Sequence, residues 1–334
     1  MQTTNRVLMV RPVRFAFNEE TAGNNAFQQK SESAEAALAV QRQAVAEFDA
    51  YVQLLRDNGI TVDVLQDTPE PFTPDSIFPN NCFSTHVDED GRRTLVLYPM
   101  FAHNRRLERD KLRVLLDKMP FDRVVDLTPW EQKGKYLEGT GSLILDREHH
   151  MAYACRSPRT HDEVMAAWAR ELGYDYFLFN SEDEQGMAVY HTNVVMHVGT
   201  RFAVVCMESI KDLEQRATLR RLLEDNGKEV VDISFGQMHQ FAGNMLELRN
   251  DRGEKLLVMS ATARRSLTSE QVLTLEQDVR IVAPDIYAIE TAGGGSARCM
   301  IAEIIPTPGP SPREGRTSGE VKNPWSGGVN GVEE

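Results

Sequence analysis

The sequence predicts an α/β fold in which five similar units close into a ring as one domain. Three observations carry that prediction. A strand, turn, strand and helix pattern returns about every fifty to sixty residues, a spacing typical of repeat architectures. A short apolar strand fills each interval between one helix and the next unit. The fifth copy is complete only if the two ends of the chain are joined. Closing the ring removes the sheet edges that an open array would expose. An open α/β sheet with two lobes remains the alternative on pattern alone. No Gly-rich phosphate loop supports a nucleotide fold, because Gly293-Gly294-Gly295-Ser296 precedes a strand instead of joining strand to helix.

The first unit runs as a strand over 77–85, a turn at 88–91, a return over 94–98 and a helix around 103–118. The second has a strand over 137–145, a turn at 146–149 and a return over 151–155. Its helix is predicted to start near Ser157-Pro158, with Ser as the cap and Pro in the first turn. The third takes 191–196, a turn at Gly199-Thr200, 202–207 and a helix over 209–226. The fourth takes 244–248, a turn at 250–253, 255–260 and a helix over 266–278. The fifth is split, with 298–305 as its first strand, 6–10 as its return and 33–58 as its helix. Linking strands are expected at 61–65, 122–126, 175–179, 229–233 and 281–289. The domain therefore occupies 1–305. From Pro306 the composition turns to Thr-Pro-Gly-Pro-Ser-Pro-Arg, so 306–334 is expected to be a disordered tail with too little apolar content to pack.

At 334 residues, 41% hydrophobic and 26% charged, the chain is long enough for a sizeable core. A net charge of −13 offers no favourable field to a phosphate backbone or an anionic membrane, so neither nucleic acid nor membrane is expected as a partner. The N-terminal apolar run is short and interrupted by Arg11 and Arg14, which fits no signal peptide, and a cytoplasmic location is expected. Small solutes are the natural ligands, and self-association into a homo-oligomer stays open. The four cysteines are far apart and form no C-x-x-C pair, which argues against a zinc site or a disulfide framework.

In a ring of related units, equivalent positions meet at one end of the axis. At or near the start of the first strand in four units stand Asp75, Glu138, His191 and Cys299: a carboxylate pair, a base and a nucleophile. Strand alternation would then place His191, Asn193 and His197 on one face, and Glu138, Thr140 and Ser142 on another. Most free cysteines are small buried hydrophobes, and Cys82, Cys155 and Cys206, inside apolar strands, fit that description. Cys299 differs, because the three glycines at 293–295 let backbone approach a ligand and the adjacent Arg298 favours a thiolate. Taken alone, His191 would be a satisfied core histidine and Glu138 a capped or paired carboxylate. His149 and His150 fall in a turn, and the remaining histidines show no metal-ligand spacing, so neither metal nor cofactor is assigned.

At these residues the sequence resembles the guanidino-group-modifying superfamily, the penteins or amidinotransferase family, which includes arginine deiminases, dimethylargininases and glycine amidinotransferases. The matching pieces are Asp75-Ser76-Ile77-Phe78-Pro79-Asn80, Leu137-Glu138-Gly139-Thr140-Gly141, His191-Thr192-Asn193 and Gly295-Ser296-Ala297-Arg298-Cys299-Met300. Residues 15–27 look like those of the bacterial citrulline-utilisation hydrolases. The resemblance covers residues 6–305 and implies a five-bladed pseudo-fivefold α/β propeller with its active site on the axis. It implies Cys299 as nucleophile, His191 as general acid and base, Glu138 as a ligand beside the histidine, and Asp75 as a ligand for side-chain nitrogens. Asn80, Asn193 and Arg298 are expected as further substrate contacts.

The chemistry implied is coherent: a ureido or guanidino carbon is a poor electrophile, so its nitrogens must be oriented while a soft thiolate attacks. Several members carry Asp two residues after the histidine, where this chain has Asn193. That exchange favours a neutral ureido group over a guanidinium. The expected reaction is cysteine-dependent hydrolysis of citrulline to ornithine, ammonia and carbon dioxide. The alternatives are an arginine or methylarginine hydrolase, an amidinotransferase, or a non-catalytic binding protein of the same fold. The polar loop 18–25 is expected to cover the site.

Overall fold

The computed structural model describes residues 2–305, so the expectation for 306–334 lies outside the described residues. Five three-stranded sheets repeat one arrangement, in which an inner strand pairs antiparallel with a middle strand and the middle strand pairs parallel with an outer one. An antiparallel pair needs only a turn, whereas a parallel pair needs a crossover, and in every unit helix supplies it. The first unit is Phe83–Val87, Arg93–Leu97 and Arg123–Asp126. The second is Ile144–Asp146, Met151–Cys155 and Asp175–Phe179. The third is Met196–Val198, Phe202–Val205 and Glu229–Asp232. The fourth is Leu246–Arg249, Lys255–Val258 and Arg280–Val282.

The fifth unit joins the chain ends: Ala302–Glu303 pairs antiparallel with Arg6–Arg11, which pairs parallel with Thr61–Gln66. Inner strands of neighbouring units abut, 144–146 against 196–198, 196–198 against 246–249, and 302–303 against 83–87. The architecture is therefore the closed ring, not the open two-lobed sheet. Among the described residues no helix is long and apolar enough to cross a membrane.

The helix Ala34–Asp57 shows how sequence fixes packing. Ser33 caps it by accepting from the N–H of Ala36, and Ala44, Phe48, Tyr51, Val52 and Leu55 form its buried stripe at helical spacing. From that stripe the Tyr51 hydroxyl donates to the carbonyl of Ala297, two residues before Cys299, at 3.2 Å. Packing of the fifth unit's helix thus anchors the turn that carries the cysteine.

Three expectations are corrected. The inner strands start later than predicted, because helical turns precede them at Pro79–Asn81, Gly139–Ser142 and Thr192–Val195. Face alternation therefore does not govern Glu138, Thr140 and Ser142, nor His191 and Asn193. Hydroxyls close these turns: Ser142 Oγ accepts from the Glu138 N–H at 3.0 Å, and Thr192 Oγ1 donates to the Ser142 carbonyl at 2.6 Å. The second unit's helix is Asp162–Leu172, not one begun at Ser157-Pro158. Ser157 Oγ accepts from Arg159 N at 3.1 Å and donates to the Tyr190 carbonyl at 2.8 Å, which ties a turn instead of capping a helix. Finally, 281–289 is a strand only over Arg280–Val282, and the chain then enters the helix Tyr287–Gly293.

Candidate active site

The helical turns bring the feet of the units together at one end of the ring axis. Gly139 makes this approach possible: its φ is +45°, and a side chain there would collide with the carbonyl oxygen of Asn80. Thr140 Oγ1 instead donates to that carbonyl at 3.1 Å, locking the second unit onto the first. A Cβ on Gly141 would stand 2.8 Å from Nδ1 of His191. The motif Glu138-Gly139-Thr140-Gly141 thus clears the space in which the carboxylate and imidazole meet.

His191 Nε2 and Glu138 Oε2 are 2.7 Å apart with both side chains buried. Glu138 Oε1 accepts from the N–H of Phe101 at 2.9 Å, and Arg159 stands 3.5 Å from Oε2. Burial opposes the charge on Glu138, but Arg159 and the His191 hydrogen bond outweigh it and bring the carboxyl down to about 2. Burial pushes His191 down to about 4 against the pull of Glu138. At neutral pH the pair is a carboxylate and a neutral imidazole whose Nε2–H faces Glu138, leaving Nδ1 without a hydrogen-bond partner among the described residues.

Asp75, His191 and Cys299 line one small cavity with Arg105, Arg159 and Tyr190. Asp75 Oδ2 accepts from Asn18 Nδ2 at 2.7 Å, whereas Oδ1 is buried and has no hydrogen-bond partner among the described residues. Burial raises the Asp75 carboxyl against the influence of Arg105 and Asn18. The Arg105 guanidinium is held by Glu108 at 2.9 Å and by the Phe78 carbonyl, also at 2.9 Å. Arg159 lies over the Tyr190 ring and pairs with Glu138 and Asn24. The sulfur of Cys299 receives two side-chain amides, Asn244 Nδ2 at 3.2 Å and Asn193 Nδ2 at 3.4 Å. Such an arrangement can present a nucleophilic sulfur, a base and a carboxylate acceptor to one small polar group.

The structure brings Asp75, Glu138, His191, Asn193 and Cys299 together, but not Arg298 or Asn80. Arg298 is corrected: its guanidinium donates to Glu303 at 2.7 Å and to the Ile301 carbonyl at 2.8 Å, turned away from the cavity. The side chain of Asn80 is buried, with neither polar atom partnered among the described residues, and it is the Asn80 carbonyl that accepts from Thr140. The glycines at 293–295 do line the cavity, but Phe78 and Asn25 fill the space that their side chains would take. The loop 18–25 reaches the site through Asn18, Asn24 and Asn25, the last donating to the Gly293 carbonyl at 3.2 Å. Sequence reading missed Arg105, Arg159, Tyr190 and Asn244. For Asn244 a signal existed, since it opens the fourth unit where the other units carry their reactive residues.

Cys82, Cys155 and Cys206 are fully buried, and burial lifts the thiols of Cys155 to about 11 and Cys206 to about 12. They are core residues. Among the described residues no group of three or more His, Cys, Asp or Glu is placed to hold a metal ion.

Five αβ units closed into a ring have the pentein fold of the guanidino-modifying superfamily. Residues 11–306 match the family described as N,N dimethylarginine dimethylhydrolase, eukaryotic, and the chain belongs to that family of hydrolases. Solved structures agree in fold. The N-terminal domain of ArgZ, an arginine dihydrolase of the cyanobacterial ornithine–ammonia cycle, was solved as a cysteine-to-serine mutant bound to substrate. It superposes with a TM-score of 0.69 at 16% identity, over 90% of this chain and 98% of that one. Dimethylarginine dimethylhydrolase from Pseudomonas aeruginosa, solved with citrulline, gives 0.63 at 14% identity over 90% and 99%. AgrE, solved with ornithine and NAD+, gives 0.68 at 18% identity over 90% of this chain and 39% of its own. No curated protein matches the chain in sequence.

Proposed function

We propose that the protein is a cysteine-dependent hydrolase of a ureido carbon, converting citrulline and water to ornithine, ammonia and carbon dioxide. The observation that carries this reading is the setting of Cys299: two neutral amides approach its sulfur, and the free Oδ1 of Asp75 and the unengaged Nδ1 of His191 belong to the same cavity. A carboxylate at position 193 would suit a guanidinium; an amide suits a neutral ureido group. Family membership supports hydrolysis, and the Pseudomonas relative solved with citrulline shares this fold.

In this mechanism Asp75 Oδ1 accepts from a ureido nitrogen and fixes its orientation. Cys299 Sγ passes its proton to Nδ1 of His191 as it bonds to the ureido carbon, and His191 delivers that proton to the nitrogen that leaves, as ammonia or as ornithine. The intermediate is a thiocarbamate on Cys299. His191 then takes a proton from water, which attacks the same carbon; the sulfur departs and recovers that proton from His191, leaving a carbamic acid that falls apart to carbon dioxide and whichever of ornithine or ammonia did not leave first. Glu138 holds the imidazole in one tautomer and stabilises its protonated form. The loop 18–25 contributes Asn18, which orients Asp75.

A second reading rests on Asp75: a buried carboxylate in the cavity also fits the cation of arginine or a methylated arginine, giving a deiminase or dimethylargininase-type reaction. The test is product analysis of purified protein with citrulline, arginine, methylated arginines and agmatine beside Cys299→Ala. Ornithine formed from citrulline and lost in the variant supports the first reading, and turnover of a guanidino compound alone replaces it with the second. Products appearing only with an added acceptor amine indicate a transferase. Failure to turn over any of these compounds indicates a non-catalytic binding protein.

A further inference from the structure

Four units place Asp75, Glu138, His191 and Cys299 at the axis. The equivalent residue of the fourth unit is Asn244. It is fully buried, and its amide is completely engaged. Oδ1 accepts from the backbone N–H of Arg298 at 3.0 Å, and Nδ2 donates to the Asn193 carbonyl at 3.0 Å and to Cys299 Sγ at 3.2 Å. Asn193 adds its own Nδ2 at 3.4 Å, while its Oδ1 is buried without a partner among the described residues. We propose that Asn244 and Asn193 form a two-amide hole that stabilises the Cys299 sulfur when it carries negative charge, Asn244 being the catalytic contribution of the fourth unit.

The groups around the sulfur favour this assignment. The charged and titratable side chains lining its cavity are Asp75, Arg105, Arg159, Tyr190 and His191. Both arginines are already paired, Arg105 with Glu108 and Arg159 with Glu138, and His191 directs its Nε2–H to Glu138. The Tyr190 hydroxyl donates to the Gly294 carbonyl at 2.7 Å, and that of Tyr51, packed behind the turn, to Ala297. Arg298 is committed to Glu303. The two amides are thus the side-chain donors given to the sulfur. A hole of neutral dipoles lowers the energy of an anion without adding a charge that must be desolvated.

The inference rests on Cys299 being the nucleophile proposed above, and it deepens that reading. A guanidinium substrate brings a positive charge that stabilises a thiolate as it binds. A ureido substrate brings none, so the protein must supply the stabilisation itself.

The test is the rate of Cys299 carboxamidomethylation by iodoacetamide as a function of pH, followed on the labelled peptide. Wild type is compared with Asn244→Ala, Asn193→Ala and Asn193→Asp. Each alanine variant is expected to raise the pH of half-maximal labelling by about one unit, as removal of one charge-assisted hydrogen bond implies. Asn193→Asp raises it further, because it sets a carboxylate beside the sulfur. Asn244→Ala also severs bonds between units and can unfold the chain. Among the described residues the Asn193 side chain has no hydrogen bond except that to Cys299, so its two variants then decide alone. An unchanged labelling profile in both Asn193 variants overturns the proposal. Citrulline turnover that still requires Cys299 would in that case keep the hydrolase reading, whereas shifted profiles without turnover would keep the hole and remove the substrate assignment.

Discussion

Replacing Glu138 with Gln tests the core of the site, because Glu138 accepts hydrogen bonds at both oxygens. Oε1 takes the Phe101 N–H and Oε2 takes His191 Nε2, with Arg159 3.5 Å away. An amide offers one acceptor and one donor end, so it cannot satisfy both N–H groups. If its oxygen stays with Phe101, the NH2 faces His191 and the imidazole must present a bare Nε2, moving its proton to Nδ1. The nitrogen turned toward the cavity then cannot accept a proton. If the oxygen stays with His191, a buried donor faces a donor at Phe101, which costs about 1–3 kcal/mol.

Either way Arg159 loses its anionic partner, and breaking a buried pair from one side costs about 3–5 kcal/mol. The carboxylate also raises the affinity of His191 for a proton, so its loss weakens a base that burial already holds down at about 4. Ornithine release from citrulline by Glu138→Gln is therefore expected to fall about 10²–10⁴-fold in kcat, the usual contribution of a positioned acid and base. Urea unfolding should show a loss of about 3 kcal/mol or more. A variant retaining kcat within about threefold of wild type would refute the catalytic reasoning. A loss of stability under about 1 kcal/mol would refute the electrostatic part.

Gly141→Ala sets a methyl group 2.8 Å from His191 Nδ1 and against Asn81, so the imidazole must turn away from Glu138. A fold intact by circular dichroism with kcat lowered about 10-fold or more is expected. Arg298→Ala leaves Glu303 with only the more distant Arg147, and should cost about 3 kcal/mol in urea unfolding while KM stays at the wild-type value. A raised KM would return Arg298 to the substrate site. Burial holds His191 at about 4 and His197 at about 3, and His86 well down, against ~6.5 in the unfolded chain. As pH falls below ~6.5 the unfolded state takes up protons that the folded state refuses, so stability drops from there downward, by about 1.4 kcal/mol per pH unit for each such histidine. Urea midpoints at pH 7, 6 and 5 should fall steadily, and His197→Gln should make that slope shallower.

The ring and its closure were legible because polar and apolar residues mark each hairpin, and because the fifth copy makes sense only across the chain ends. Asp75, Glu138, His191 and Cys299 stood out because reactive side chains recurred at matching positions. The helical turns beneath the inner strands were hidden: Gly-Thr-Gly-Ser and His-Thr-Asn-Val read as strand starts until hydroxyl bonds between units decide their shape. Arg105 was invisible for a related reason. With Glu108 three residues on, it looks like an exposed helix pair, yet both are about 98% buried, side chain exposure being 2% for each, since the Phe78 carbonyl and Asn81 complete its hydrogen bonds. Arg159 owes its place to a turn that reads locally as a helix cap. Arg298 misled because adjacency in sequence to Cys299 says nothing of where a long side chain points from a tight turn.

In the mechanism proposed for Cys299, the pairing of Val7 with Glu303 ties catalytic competence to completion of the ring. Cys299 stands just before the strand that supplies this pairing, and its sulfur is held from the third and fourth units. On that mechanism a partly folded chain is expected to have no working site, because loop closure over most of its length precedes the last contacts. Activity should therefore return during refolding with the slowest phase, not with the formation of individual hairpins. Proteolytic nicking near residue 300 should silence the protein before it unfolds the other four units.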